Sequence, residues 1–160
     1  NLIDVAVVTS PFADKTGLNI NVIKKLQDIV AAGNGFSYLK DKEISLHELV
    51  KYPLICLKNT TTTRNYLDHI FRQHNLLLRP DIELTSINFV MPMVKNNLGI
   101  GFMQYATTKA EIEAGNIFRV NTKEQIPPRS ICAVTASQYE TPEPVQRFID
   151  SLLEKESVNI

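Results

Sequence analysis

Apolar residues fall along this chain in short runs separated by polar turns, and strand-like and helix-like spacing alternate most clearly from Tyr52 to Met103. YPLICL is a continuous apolar run of strand length. The TTTT that follows is wholly polar, and RNYLDHIFRQH then places Tyr66, Leu67, Ile70 and Phe71 on one helical face. DIELTS, INFVMPMVKNN and LGIGFM repeat the order of strand, helix and strand. Two such units in succession imply an α/β protein with largely parallel strands covered by helices.

The rest of the chain is punctuated in the same way. Asp4 to Thr9 reads as a strand, ended by a Thr9-Ser10-Pro11 turn. From Asn19 to Ala32 the pattern is ambiguous, because Val22, Ile23, Leu26, Ile29 and Val30 also fit a helical face. Asn34-Gly35 marks a turn. Ser45 and Glu48 have capping-box spacing for a short helix that must stop before Pro53. Ser86 is the expected cap of INFVMPMVKNN, with a kink at Pro92, and Asn97 to Gly99 should close it. TTKAEIEAG reads as a helix stopped by Gly115, and IFRV and RSICAV read as strands. In PVQRFIDSLLEK, residues Val145, Phe148, Ile149, Leu152 and Leu153 form one apolar stripe, which requires a sheet to cover it.

Composition narrows the function. With 160 residues, 44% apolar and 21% charged, the chain has the makeup of an ordinary globular protein. Seventeen basic residues balance seventeen acidic ones with no Lys/Arg run longer than two, so the electrostatic footprint of a nucleic-acid binder is missing. No apolar stretch has transmembrane length and no signal-like segment opens the sequence, which points to a cytoplasmic protein without membrane contact. Cys56 and Cys132 lie in apolar runs without a CxxC, and His47, His69 and His74 have no metal-ligand spacing. Neither a metal nor a cofactor is expected.

The order and spacing of IDVAVVT, ISLHELVKYPLICL, TR..LD..F over Thr63 to Phe71, S.....MVKNNLGIGFM and P.PVQRFIDSL resemble the effector-binding domain of LysR-type transcriptional regulators. The sulfur-responsive branch typified by the CysB regulator has the most similar shape. The resemblance implies the two-lobed, type 2 periplasmic-binding-protein-like fold with mixed, largely parallel sheets. Residues 1–51 with 131–160 would form a discontinuous, N-terminally truncated first lobe and 52–130 the second, with a hinge and an effector cleft between them. It also implies two strands, INVIKKL and DIVAAG, where the periodicity is ambiguous. The family further implies a homodimer or higher oligomer that reaches DNA only through a winged helix-turn-helix upstream of Asn1. Leu76, Leu77 and Leu78 extend the apolar face of RNYLDHIFRQH and are candidates for that contact or for the core. A transporter's solute-binding protein would share the fold.

Candidate ligand contacts follow from turn chemistry and from the family. The Thr60, Thr61, Thr62 and Thr63 run lies where a strand gives way to a helix, so hydroxyls and amides meet the positive end of the helix dipole. One threonine would suffice for a cap, and Thr62 or Thr63 fits that role. In the sulfur-responsive relatives the threonine two before the Arg and the threonine ending the first strand touch the effector; here these are Thr62 and Thr9. Ser10 is a helper or simply opens its turn; Phe102, whose alternative is core packing, and Gln104 are weaker candidates. Arg64 either reaches an anion, or is solvated or paired with Asp68. Hydroxyls and amides without paired carboxylates or a Cys-His pair indicate binding without turnover, of an anion, carboxylate or sulfur metabolite.

Overall fold

The computed structural model describes residues 3–12 and 15–157. In chain order it contains β1 (Ala6–Thr9), β2 (Leu18–Leu26) and β3 (Asp28–Gly33), a 3-10 turn over Asn34–Leu39, then β4 (Glu43–Ile44) and α1 (Leu46–Leu49). β5 (Leu54–Leu57), α2 (Thr62–Gln73) and β6 (Ile82–Leu84) follow, and a second 3-10 turn at Ile87–Phe89 leads into α3 (Val90–Lys95). β7 (Ile100–Gln104), α4 (Tyr105–Glu113), β8 (Ile117–Thr122), β9 (Arg129–Ala136) and α5 (Glu143–Ser157) complete the chain.

The chain divides into two compact units, one of residues up to Leu26 with those from Pro128 onward, the other spanning Gln27–Pro127. The return crossing lies close to the expected one at residue 130, but the first lies at Leu26/Gln27 and not at residue 51. The cause is the course of two consecutive strands. β2 pairs with β9 as far as Leu26↔Arg129, whereas β3 leaves that sheet to lie between β7 and β8 of the larger one. Residues 19–32 therefore form strands, as the family resemblance implies, and the helix-like spacing is coincidental. β-branched Val22, Ile23, Ile29 and Val30 suit a pleated surface better than a helix.

The first unit holds a sheet in the order β1-β9-β2. Both of its pairings are antiparallel, with Val8↔Cys132 and Val22↔Cys132 in register. Helix α5 packs against β2. Ile149 is buried and Val145, Leu152 and Leu153 half-buried, but Phe148 stays 43% exposed, so the buried stripe is narrower than the spacing suggests.

The second unit carries a mixed sheet in the order β4-β8-β3-β7-β5-β6. β5 runs parallel to both β6 and β7, as two successive strand-helix-strand units require, while β3 is antiparallel to its two neighbours. Alternation along each strand sorts side chains to two faces. Val30, Leu54, Cys56, Ile100, Phe102, Phe118 and Val120 meet Leu67, Ile70 and Phe71 of α2 and Leu46 and Leu49 of α1 in one core. Ile29, Ala31, Ile55, Met103 and Ile117 face Val90 and Val94 of α3 on the other. Gly101 makes the second contact possible: a Cβ there would come within 2.7 Å of Val94 Cγ2 and 2.8 Å of Val90 Cγ1.

Local signals place most boundaries. Ser45 and Glu48 form the capping box on α1. Ser86 caps only the 3-10 turn, and α3 restarts at Val90. Pro92 thus falls in the first turn of α3, where a missing N–H costs nothing, and in place of the expected kink a 3-10 turn runs directly into a short α-helix. Gly115 adopts φ +73 just past α4, as a helix stop demands. The leucine run divides: Leu78 joins the core, Leu76 packs against it, and Leu77 is 61% exposed.

Phe71 is fully buried and meets Phe102 edge-on with ring centroids 5.9 Å apart. Phe71→Ala should lower stability by about 3–5 kcal/mol. Urea unfolding followed by circular dichroism measures this.

Candidate functional site

The sheet of the second unit gathers the candidate residues of that unit at one edge. Leu54↔Ile100 and Ile55↔Gly101 pair in parallel, so β5 and β7 emerge on the same side. β5 leads into the threonine turn and β7 ends at Gln104. Ligands of α/β proteins gather at such carboxyl edges. Antiparallel β3 begins there, with Asp28 in register with Gln104. Asp28 is buried, and nothing in the sequence singled it out, because a lone acid at the start of an apolar run has no motif around it.

Within the turn the threonines divide their tasks. Thr61, not Thr62 or Thr63, is the N-cap of α2: its Oγ1 accepts from the Arg64 N–H at 3.2 Å and donates to the Lys58 carbonyl at 2.9 Å. The Thr61 N–H also donates to Lys58 O, at 3.0 Å, which closes the turn. Thr62 is the first helical residue and is exposed, Thr60 is exposed ahead of the cap, and Thr63 is half-buried. Thr62 therefore presents a hydroxyl to solvent on the first turn of a twelve-residue helix, where the dipole favours negative charge.

Arg64 does not face that solvent. Its side chain is 7% exposed, with Nε donating to Asp68 Oδ1 at 2.9 Å and Nη1 to Glu83 Oε1 at 2.7 Å. Nη1 also donates to the Leu57 carbonyl and Nη2 to the Leu78 carbonyl, each at 3.1 Å. Pairing with Asp68 is thus the correct alternative. Burial works to lower the guanidinium's pKa, but the hydrogen bonds it donates to Asp68 and Glu83 outweigh it and the net shift is upward.

Gln104 is half-buried and stands at the N-cap position of α4, where its carbonyl accepts from the hydroxyls of Thr107 and Thr108. Phe102 is 4% exposed in the core against Phe71, so its ring has the packing role. In the first unit, Thr9 ends β1 opposite Ile131 and is half-buried. Ser10 ties the end of β1 to the start of β9: its N–H donates to Ser130 O at 2.8 Å and its Oγ accepts from the Ser130 N–H at 2.8 Å.

The cysteines and the metal-ligating residue types bear on other chemistry. Cys56 and Cys132 are free thiols on strands of different sheets. Burial pushes Cys56 up to about 12 against the opposing Arg64 charge, and burial also raises Cys132, so both stay protonated near neutral pH. Among the described residues no group of His, Cys, Asp or Glu could hold a metal ion, and no helix is long and apolar enough to cross a membrane.

Comparison with known proteins returns the family that the motifs resemble. The sequence model described as the LysR substrate binding domain matches residues 1–157. The HTH-type transcriptional activator CmpR of Synechocystis sp. strain PCC 6803 is 29% identical over 90 residues, which cover 55% of this chain and 30% of that protein. The chain thus corresponds to under a third of that relative's length. The CcmR regulatory domain of Synechocystis PCC6803, solved in complex with 2-PG, superposes with a TM-score of 0.79 at 18% identity, over 94% of this chain and 72% of the other. The effector binding domain of QuiR in complex with shikimate gives a TM-score of 0.76 at 18% identity, over 96% and 72%. The fold is the type 2 periplasmic-binding-protein-like one.

The cap assignment separates two neighbouring threonines. Thr61→Ala should destabilise the protein by about 1 kcal/mol, and Thr62→Ala by no more than about 0.5 kcal/mol. Chemical denaturation of the two variants side by side gives the comparison.

Proposed function

Because the chain belongs to the LysR substrate-binding-domain family, we propose that it is the metabolite-sensing part of a transcriptional regulator, binding a small anionic or polar effector at the threonine turn of α2. The observation that carries this reading is the division of labour in the turn: Thr61 satisfies the cap, which leaves the exposed Thr62 hydroxyl surplus to the fold. Thr62 is also the threonine that the family resemblance marks, as is Thr9 of the first unit. Gln104, at the same sheet edge, and Ser10 complete the candidate set, with Thr60 and Thr63 as flanking contacts.

Recognition here relies on hydroxyls, first-turn amides and a helix dipole, which suit a sulfate, a carboxylate or a sulfur metabolite. The 2-PG and shikimate complexes of two proteins with this fold are in keeping with small, oxygen-rich ligands. Binding would bias the arrangement of the two units, and a DNA-binding domain elsewhere in the regulator would read that bias. The protein acts as a sensor, not an enzyme, in the cytoplasm and as a homo-oligomer.

Thr62→Ala should weaken effector binding by about 1.5–3 kcal/mol, the value of one hydrogen bond to a charged group, while Thr60→Ala changes it little. A thermal-shift screen with sulfate, amino-acid precursors and small carboxylates, followed by titration of the best binder, measures both. Equal affinities for Thr62→Ala and the parent would remove the assignment.

Self-association gives an independent check. Leu77 is 61% exposed just beyond α2, an apolar side chain suited to a two-fold contact. Sedimentation over a concentration series should show a dimer that Leu77→Asp weakens, and a monomer at every concentration counts against the oligomeric part of the reading.

A further inference from the structure

We infer that Arg64 is a positioning residue for the threonine turn, and that Glu83 on the neighbouring strand sets the turn's geometry through it. The inference rests on the reading of the turn as the effector contact, but its geometry stands apart from that reading. Arg64 follows Thr62 by two residues on the first turn of α2, so whatever fixes its guanidinium fixes the rotation and height of that turn. Four hydrogen bonds do so, from three directions: Asp68 on the same helix, the Leu57 carbonyl at the end of β5, and Glu83 on β6 with the Leu78 carbonyl just before it. A guanidinium has five N–H donors, and this one is nearly spent on the protein. Its side chain is 7% exposed. An effector could not be received by Arg64 without breaking bonds between charged groups.

The role of Glu83 is accessible to a clean substitution. Its carboxylate lies 2.7 Å from Arg64 Nη1 and is itself 44% exposed, so a neutral amide can replace it without opening the core. Removing this negative charge has opposite consequences under two accounts. If the groups around Arg64 act on an anionic effector directly through their charge, Glu83→Gln strengthens anion binding. If Arg64 acts by positioning, a slackened guanidinium frees the first turn and weakens binding of anions of any shape, despite the gain in positive potential.

The experiment uses the full chain with Glu83→Gln, and Thr62→Ala as a parallel variant. Amide hydrogen exchange without ligand should speed up about tenfold at Arg64 and Asn65, whose N–H groups bond to Thr61, while the amides of β7 keep their rates. Titration with inorganic sulfate and with shikimate should show several-fold weaker binding of whichever probes the parent binds. Unchanged exchange at Arg64 and Asn65 overturns the inference, as does equal or tighter binding of a probe. Should Thr62→Ala bind like the parent while exchange in Glu83→Gln rises as expected, the effector reading fails and the positioning role stands. If neither probe binds the parent, the exchange rates decide.

Discussion

A guanidinium withdrawn from water must be met by acceptors on every side, and in this molecule that requirement ties the first turn of α2 to the strands beside it. Leaving such a charge buried without partners would cost several kcal/mol, comparable to a large share of a domain's whole stability. Arg64 avoids the cost by drawing on α2, β5, β6 and the Leu78 segment at once. The four pieces become one rigid corner. The threonine turn adjoins that corner, so the bonds of Arg64 support it alongside the turn's own bonds from Thr61 to Lys58. A binding residue on a turn needs this kind of support, because a loop held only by its cap would frustrate precise placement of a hydroxyl.

The six-stranded sheet supplies the frame on which the corner rests. Its two faces each receive a core, and the parallel β7, β5 and β6 carry their carboxyl ends to the edge where α2 starts. β3 completes the arrangement from the opposite direction, bringing Asp28 beside Gln104. The crossing back to the other unit is tied to this frame as well. Gln27 Nε2 donates to Ile126 O at 3.0 Å, and the Tyr66 hydroxyl of α2 donates to Pro127 O, so the helix with the threonine turn also holds the end of the second unit.

How much of this can be read from sequence depends on the range of the interaction. The helix over RNYLDHIFRQH, its four buried apolar residues and the Ser45 capping box follow from spacings of three and four residues. The parallel pairing of β5 with its neighbours follows from strand and helix alternating in order. The Arg64–Asp68 pair was visible as an i, i+4 option, but the Glu83 partner was not, since no local rule links a helix start to a strand 19 residues further on. The fate of β3 was hidden for the same reason. Residues 19–32 satisfy both periodicities, and only pairing with distant β7 and β8 decides between them. At the site, four consecutive threonines signalled a special turn without saying which one caps. Thr61 takes that role because its extended backbone precedes the helix, with φ −94 and ψ 145. Phe102 shows the limit in the other direction, for an aromatic at a strand end carries no mark that tells cleft from core.

The central claim is that an effector contacts the first turn of α2 at Thr62. Its most direct test is a crystal structure of the chain grown with the best-binding metabolite at saturating concentration. The account predicts ligand density within hydrogen-bond distance of Thr62 Oγ1, with the Arg64 guanidinium still bonded to Asp68 and Glu83. Density lodged elsewhere, with the threonine turn untouched, would contradict it.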